Sequence, residues 1–136
     1  MASGYENTTL IPHNFEKVGD KWTTWTTYTQ DETILSYTIP ETGLYLFMIQ
    51  FSFNSNTISN YTHTIKIKMD GGGVIGTYQI QASSETLRTP VSISAIYNAS
   101  AGRIVYVTCD DGNPTPINVR LIDMNNPSSS YALKLK

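Results

Sequence analysis

A chain of 136 residues, with 15% charged side chains and a formal net charge of −2, has room for one domain and too few basic groups to bind nucleic acid. Its one cysteine, Cys109, excludes an intrachain disulfide and a cysteine-based zinc site, and fits a buried core residue. The sequence has no apolar run of membrane-spanning length and no leader pattern. We therefore expect a protein made in the cytoplasm and not inserted into a membrane.

Alternation of apolar and polar residues, the two-residue period of a β-strand, recurs along the chain, and three-and-four helical spacing does not. Residues 1–20 are expected to form an N-terminal arm or a first strand, and the Thr- and Trp-rich run at 22–29 predicts the next strand. Strands are then predicted at 34–39 and 44–53, before a polar loop at 54–60.

The second half of the chain continues the pattern. Strands at 62–69 and 74–80 flank the glycine run 71–73, which predicts a hairpin turn because glycine supplies the positive φ that such turns need. Three more strands are predicted at 90–97, 103–109 and 117–124. The C-terminal tail, 125–136, begins turn-like and ends in alternation, so it either adds a short edge strand or stays mobile. About eight to ten short strands predict one all-β domain over 1–136, an antiparallel sandwich or barrel.

The strand predicted at 44–53 is apolar on both faces. Its odd-numbered residues are all aromatic or aliphatic, and the even-numbered face begins with Leu44, Leu46 and Met48 before it turns polar at Gln50. A strand that is apolar on both faces needs cover on both sides. In a chain this short, the second cover is expected from another copy of the same protein.

Four stretches carry a family resemblance. A turn ending in Gly43 leads directly into the aromatic strand, the stretch 65–71 ends in a glycine hairpin, the stretch 99–107 joins a glycine turn to a Val-x-Val strand, and a last strand follows at 117–124. Over about residues 34–124, this order resembles the ten-stranded jelly roll shared by tumour necrosis factor and the globular heads of the first complement component. Without a collagen-like stalk, and with a tail beyond the last strand, the chain is most similar to bacteriophage and bacterial surface members of that fold.

The resemblance implies a compact homotrimer with the aromatic strand near the threefold axis. His63 continues the apolar face of its strand, so it is expected in the interior or at a subunit contact. The residues expected at the trimer interface are Leu44, Leu46, Met48, Phe51, His63 and Tyr106.

Aromatic residues on the Thr-rich segment are the best candidates for a recognition surface, because aromatic rings stack on sugars and hydroxyls satisfy sugar oxygens. Trp25 lies on the opposite face of the predicted strand from Trp22 and Tyr28, so at most one set is exposed. The alternative is that these rings seal the sandwich or a subunit contact. Further candidate contacts come from the polar loops: Asn56, Tyr61, Asp110, Asp111 and Asn113.

The sequence offers little for catalysis or metal binding. His13 and His63 have no nucleophile motif beside them, and no pair of acids is favoured by its surroundings. The acidic cluster Asp110-Asp111 resembles part of a calcium loop but is first interpreted as a turn. Because some complement-head-like trimers hold calcium near their apex, a weakly bound calcium there is the one cofactor that the resemblance suggests.

We therefore expect a non-enzymatic homotrimer on a virion or extracellular surface, such as a phage fibre, tail-tip or capsid-surface head that binds a host glycan or receptor. A multivalent trimer compensates for weak single sites through effective concentration. The alternatives are a purely structural decoration or cap protein, a stand-alone monomeric carbohydrate-binding module and, least favoured, a small hydrolase.

Overall fold

The computed structural model describes residues 10–27, 31–55, 61–82, 87–111, 118–123 and 129–136. Within these ranges the protein is all-β, and none of their residues forms a helix that is long and apolar enough to cross a membrane. The strands are β1 His13–Asn14, β2 Glu16–Lys17, β3 Thr26–Thr27, β4 Glu32–Thr38, β5 Gly43–Ser55, β6 Tyr61–Met69, β7 Val74–Ala82, β8 Leu87–Ala99, β9 Ile104–Asp111, β10 Asn118–Ile122 and β11 Tyr131–Lys134.

The strands form two antiparallel sheets. Sheet B has the order β2-β4-β9-β6-β7, and sheet A has β8 on one edge of β5, with β11 and β10 sharing the other edge and β1 and β3 outside them. Successive strands alternate between the sheets at β4–β5, β5–β6, β7–β8, β8–β9 and β9–β10. The spatial orders β1-β11-β5-β8 and β4-β9-β6-β7 are those of a jelly roll. The predicted all-β antiparallel jelly-roll sandwich is confirmed.

β5 is the central strand of sheet A and places its odd-numbered face in the core. All five side chains of that face are at most 1% exposed: Tyr45, Phe47, Ile49, Phe51 and Phe53. Sheet B supplies the opposite wall with inward-facing residues such as Ile65, Val107 and Cys109, each 0% exposed. The predicted strand and the buried cysteine are therefore confirmed, and the even-numbered side chains of β5 point out of the sandwich.

Residues 10–17 lie across one side of the sandwich and join both sheets. β1 pairs with β11 in sheet A, and β2, two residues later, pairs with β4 in sheet B. Phe15 lies between the two strands, is 2% exposed and packs edge-on against Phe47 at 6.2 Å between ring centroids. One buried aromatic residue thus fixes the point at which the chain passes from one sheet to the other.

The strand predicted at 22–29 is wrong in its first half. Residues 19–24 form a turn, and of the described residues in this stretch, 22–27, only Thr26–Thr27 enters a sheet, opposite β10. The backbone N–H groups and the hydroxyls of Thr23 and Thr24 all donate to the carbonyl of Asp20, at 3.1 to 3.3 Å. Local hydrogen bonds from Thr hydroxyls to the backbone compete with the strand ladder. The prediction considered only the β-branched composition, which favours a strand.

The last strand of sheet A is interrupted in the middle. β10 pairs with the end of β5 and β11 with its beginning, so neither of these two strands has a ladder partner for Gln50, which lies between the two paired stretches. Side chains take its place: the backbone N–H of Gln50 donates to Ser130 Oγ (2.9 Å), and the Ser130 hydroxyl donates to the Gln50 carbonyl (3.1 Å). β11, which is the strand within the C-terminal tail, therefore lies between β1 and β5, and the edge position that was one of the two expectations for the tail is wrong.

Candidate self-association face and end groove

The outer side of sheet A carries a continuous apolar surface, which we call the apolar face. In the strand register Leu46 lies between Ile96 of β8 and Leu133 of β11, and Met48 lies opposite Tyr131. Residues directly opposite in antiparallel strands share one side of the sheet. The apolar face consists of Leu44, Leu46, Met48, Ile96, Tyr131 and Leu133, and none of its members is charged.

The members of the apolar face are in contact with solvent in the single subunit. Ile96 is 63% exposed, and the other five residues are partly exposed, because each shields its neighbours on the same sheet. The face ends at Gln50, whose side-chain amide donates a hydrogen bond to the carbonyl of Ser129 (3.4 Å). A contiguous apolar surface of this kind on a soluble protein is typical of an interaction site.

Of the residues expected at the trimer interface, Phe51 and His63 are buried in the core, and Tyr106 lies on the other sheet from the apolar face. Phe51 and His63 are 0% exposed in the interior of the sandwich, where the His63 ring stands 4.7 Å from the ring of Phe53. Tyr106 of β9 lies on the outer side of sheet B, next to Ser36 and Lys68 in the register. The two-residue period assigned Leu44, Leu46 and Met48 to a surface, but it does not distinguish a chain's own core from a subunit contact. Phe51 and His63 are core residues.

Trp25 is well exposed and Trp22 is partly buried, although neither residue lies on the strand from which their positions were predicted. Trp22 is a structural residue: its Nε1 donates to the Ile34 carbonyl (2.9 Å), and its ring packs edge-on against Phe51 at 5.6 Å. The ammonium group of Lys17 lies over the same ring, 5.6 Å from its centroid. Trp25 is 42% exposed and remains available for contact.

Most of the candidate contact residues in the loops lie outside the residues that the structure describes. Tyr28, Asn56 and Asn113 lie outside the described residues, as do the side chains of Tyr61, Asp110 and Asp111. Their backbones differ from expectation in two places, since β9 extends through Asp111, which pairs with His63, and β6 begins at Tyr61. Within the described ranges, no group of three or more His, Cys, Asp or Glu residues is placed to hold a metal ion. The weak calcium site stays a prediction.

A groove that sequence reasoning missed opens at one end of the sandwich, where β4 leads into β5. Its inner hollow, about 190 Å³, lies between inward-facing residues of both sheets, and residues 10–13 lie along its side. An outer hollow of about 480 Å³ adjoins it and shares Ile11, His13, Glu41 and Lys134. We call the two together the end groove; the inner hollow is lined by Ile11, His13, Tyr37, Pro40, Glu41, Tyr45, Ala132 and Lys134.

Polar groups in the end groove are held in defined positions. The Tyr37 hydroxyl and His13 Nδ1 are joined by a hydrogen bond of 3.0 Å, and the Tyr45 hydroxyl donates to the Glu41 carbonyl at 2.6 Å. The ammonium group of Lys134 is 3.6 Å from the Glu41 carboxylate. Burial, with the neighbouring Tyr45, raises the pKa of the Tyr37 phenol, so this hydroxyl stays protonated. His13 and Tyr37 are far apart in sequence, and no local motif links them.

Comparisons with known proteins do not assign the chain to a family. No family model and no curated protein matches the chain. Among solved structures, an arabinose-bound α-L-arabinofuranosidase is similar over 93% of this chain, with 11% sequence identity and a TM-score of 0.40. The chain spans 24% of that protein's length. A similarity at this level carries no argument about activity or ligand.

Proposed function

We propose that this chain is a non-enzymatic, homotrimeric surface protein of a virion or a cell, such as the head domain of a phage fibre, tail tip or capsid surface. In this proposal the trimer presents its loops to a host-surface glycan or protein receptor. The observation that carries the proposal is the apolar face of sheet A, because a protein built for solution as a single subunit rarely leaves such a surface in water.

A second copy of the same chain is the partner that the face fits. The face carries no charge, while its border is polar: Asn98 lies opposite Leu44 and Ser94 opposite Met48, and both are exposed. An uncharged apolar centre with a polar rim is the usual anatomy of a self-association surface. The trimeric state, the surface location and the phage-like setting come from the resemblance to the tumour necrosis factor and complement-head jelly roll.

The proposal is tested by charging the apolar face. Leu46→Asp places a carboxylate at its centre, and Ile96→Asp does the same at its most exposed member. Both side chains point away from the core, so the subunit is expected to fold and to lose its partners. Thr77→Asp is the matched control, since Thr77 is exposed on the edge strand of sheet B and lies outside the apolar face.

Sedimentation velocity gives the readout, with circular dichroism to confirm the fold. We expect the two apolar-face variants to sediment as folded monomers and Thr77→Asp to sediment as the wild type does. If either folded apolar-face variant keeps the wild-type mass, the proposed assembly surface is wrong. Phe51→Asp, in the core, is expected to abolish folding itself.

A further inference from the structure

We propose that the end groove is a binding site for a neutral carbohydrate. This inference deepens the glycan-binding part of the proposed function and rests on it, but it assigns the ligand to a place that the sequence did not indicate. The groove lies at the end of the sandwich, whereas the exposed Trp25 belongs to the turn that leads into β3.

The size and depth of the end groove suit a sugar ring. Its inner hollow of about 190 Å³ reaches between the two sheets to Tyr45, whose side chain is 1% exposed. The outer hollow of about 480 Å³ widens it toward solvent. Together they reach the size at which protein clefts hold small ligands, about 300–1,000 Å³.

The lining combines apolar walls with hydrogen-bonding groups at fixed positions. Phenol rings of Tyr37 and Tyr45 stand at the inner end, and the aliphatic Ile11 lies at the side. Imidazole, carboxylate and ammonium groups from His13, Glu41 and Lys134 lie around them. Carbohydrates present apolar C–H faces edged by hydroxyls that both donate and accept, so a mixed lining of this kind is what they require.

The charges of the groove argue for a neutral ligand. Glu41 and Lys134 already face each other at 3.6 Å, so neither offers an unbalanced charge to a ligand. Beyond them, Lys136 lines the outer hollow and Glu16 lines the neighbouring one, which adds one charge of each sign. A phosphate, sulfate or carboxylate ligand would find no excess of positive charge, whereas sugar hydroxyls can bond to groups of either sign.

A third hollow extends the site beyond one ring. It measures about 210 Å³, shares Tyr37 with the inner hollow and is lined by Asn14, Glu16, Ser36 and Thr38. Amide, hydroxyl and carboxylate groups dominate this part, so it offers hydrogen bonds with little apolar surface. The arrangement favours a short oligosaccharide, with one ring between the sheets and the next along the outer side of β4.

The test is a printed array of neutral and acidic glycans, probed with the full chain and three variants. His13→Ala and Glu41→Ala remove groove groups that are exposed, which spares the core, and Trp25→Ala removes the exposed aromatic outside the groove. We expect the wild type to bind at least one neutral glycan. Both groove variants are expected to bind it at least about tenfold more weakly, and Trp25→Ala within about twofold of the wild type.

The inference is overturned if the wild type binds no neutral glycan, binds acidic glycans only, or binds equally well in the groove variants. Loss of binding in Trp25→Ala alone would move the site to the turn before β3. The mass of each sample separates this outcome from the assembly proposal. A trimer without sugar binding contradicts the groove alone, and a monomer that binds through the groove contradicts the assembly alone.

Discussion

Single side chains connect parts of this fold where the pairing of strands stops. Asp123 stands at the interruption of the last strand and accepts hydrogen bonds from the backbone N–H and hydroxyl of Ser129, at 2.8 and 2.7 Å. Its other oxygen is 2.7 Å from the ammonium group of Lys17. One carboxylate therefore ties the segment before β11 to β2 of the opposite sheet.

Asp123→Ala is expected to lower the free energy of unfolding by about 2 kcal/mol, because hydrogen bonds and an ion pair to a mostly buried charge are lost together. Urea unfolding at neutral pH measures the change. Asp20→Ala is the control, since the Asp20 side chain is exposed and only its backbone carbonyl accepts hydrogen bonds from the turn.

The same carboxylate makes a prediction about pH. Burial by itself would raise the pKa of Asp123, but the hydrogen bonds from Lys17 and Ser129 outweigh it and lower the pKa. The ionised form therefore stabilises the fold above the unfolded pKa, and that contribution is lost as pH falls through the lower, folded value. Below about pH 4, the wild type should lose stability more steeply than Asp123→Ala. Parallel slopes would show that the carboxylate has no such role.

Elements with a clean period were predictable, and those held by distant side chains were not. β5 could be assigned from its alternation, and the β6–β7 hairpin from its glycines, two of which, Gly71 and Gly72, have φ near +90° and +98°. The interruption between β10 and β11 depends on Ser129 and Ser130 meeting Gln50, about eighty positions earlier. No local sequence signal encodes such a pairing.

At the start of β5, Gly43 is required by a close approach of the C-terminal tail. A Cβ at Gly43 would clash with the backbone carbonyl of Lys136 and the side chain of Lys134. The tail is bonded there, with the Leu44 N–H donating to the Lys136 carbonyl (3.1 Å) and the Leu135 N–H to the Leu44 carbonyl (2.7 Å). Close packing of two backbones thus explains a glycine that the sequence suggested only as the end of a turn.

Gly43→Ala is expected to displace the end of the tail and to cost about 1–3 kcal/mol of unfolding free energy. Amide hydrogen exchange should accelerate most at Leu135, whose N–H bond depends on this packing. Gly73→Ala is the matched control, because a Cβ there meets nothing within 4 Å and its φ is not in the left-handed region. Equal protection of Leu135 in both variants would contradict the proposed role of Gly43.

At the scale of the whole molecule, the sequence indicated the apolar face more clearly than the end groove. The two-residue period of the strand alone assigned three apolar residues to the face opposite the core: Leu44, Leu46 and Met48. The end groove could not be predicted from the sequence, because it is lined by residues from three distant parts of the chain: His13, Tyr37 and Lys134. Its parts meet only once both sheets are formed.

The central claim, that the apolar face is covered by further copies of the chain, is tested most directly by the mass of the unmodified protein in solution. Sedimentation equilibrium over a dilution series at micromolar concentration gives that mass without a label or a variant. We predict a species of three times the 15.1 kDa chain mass that persists on dilution. A single species of 15.1 kDa at all concentrations would contradict the account and leave the apolar face without its proposed partner.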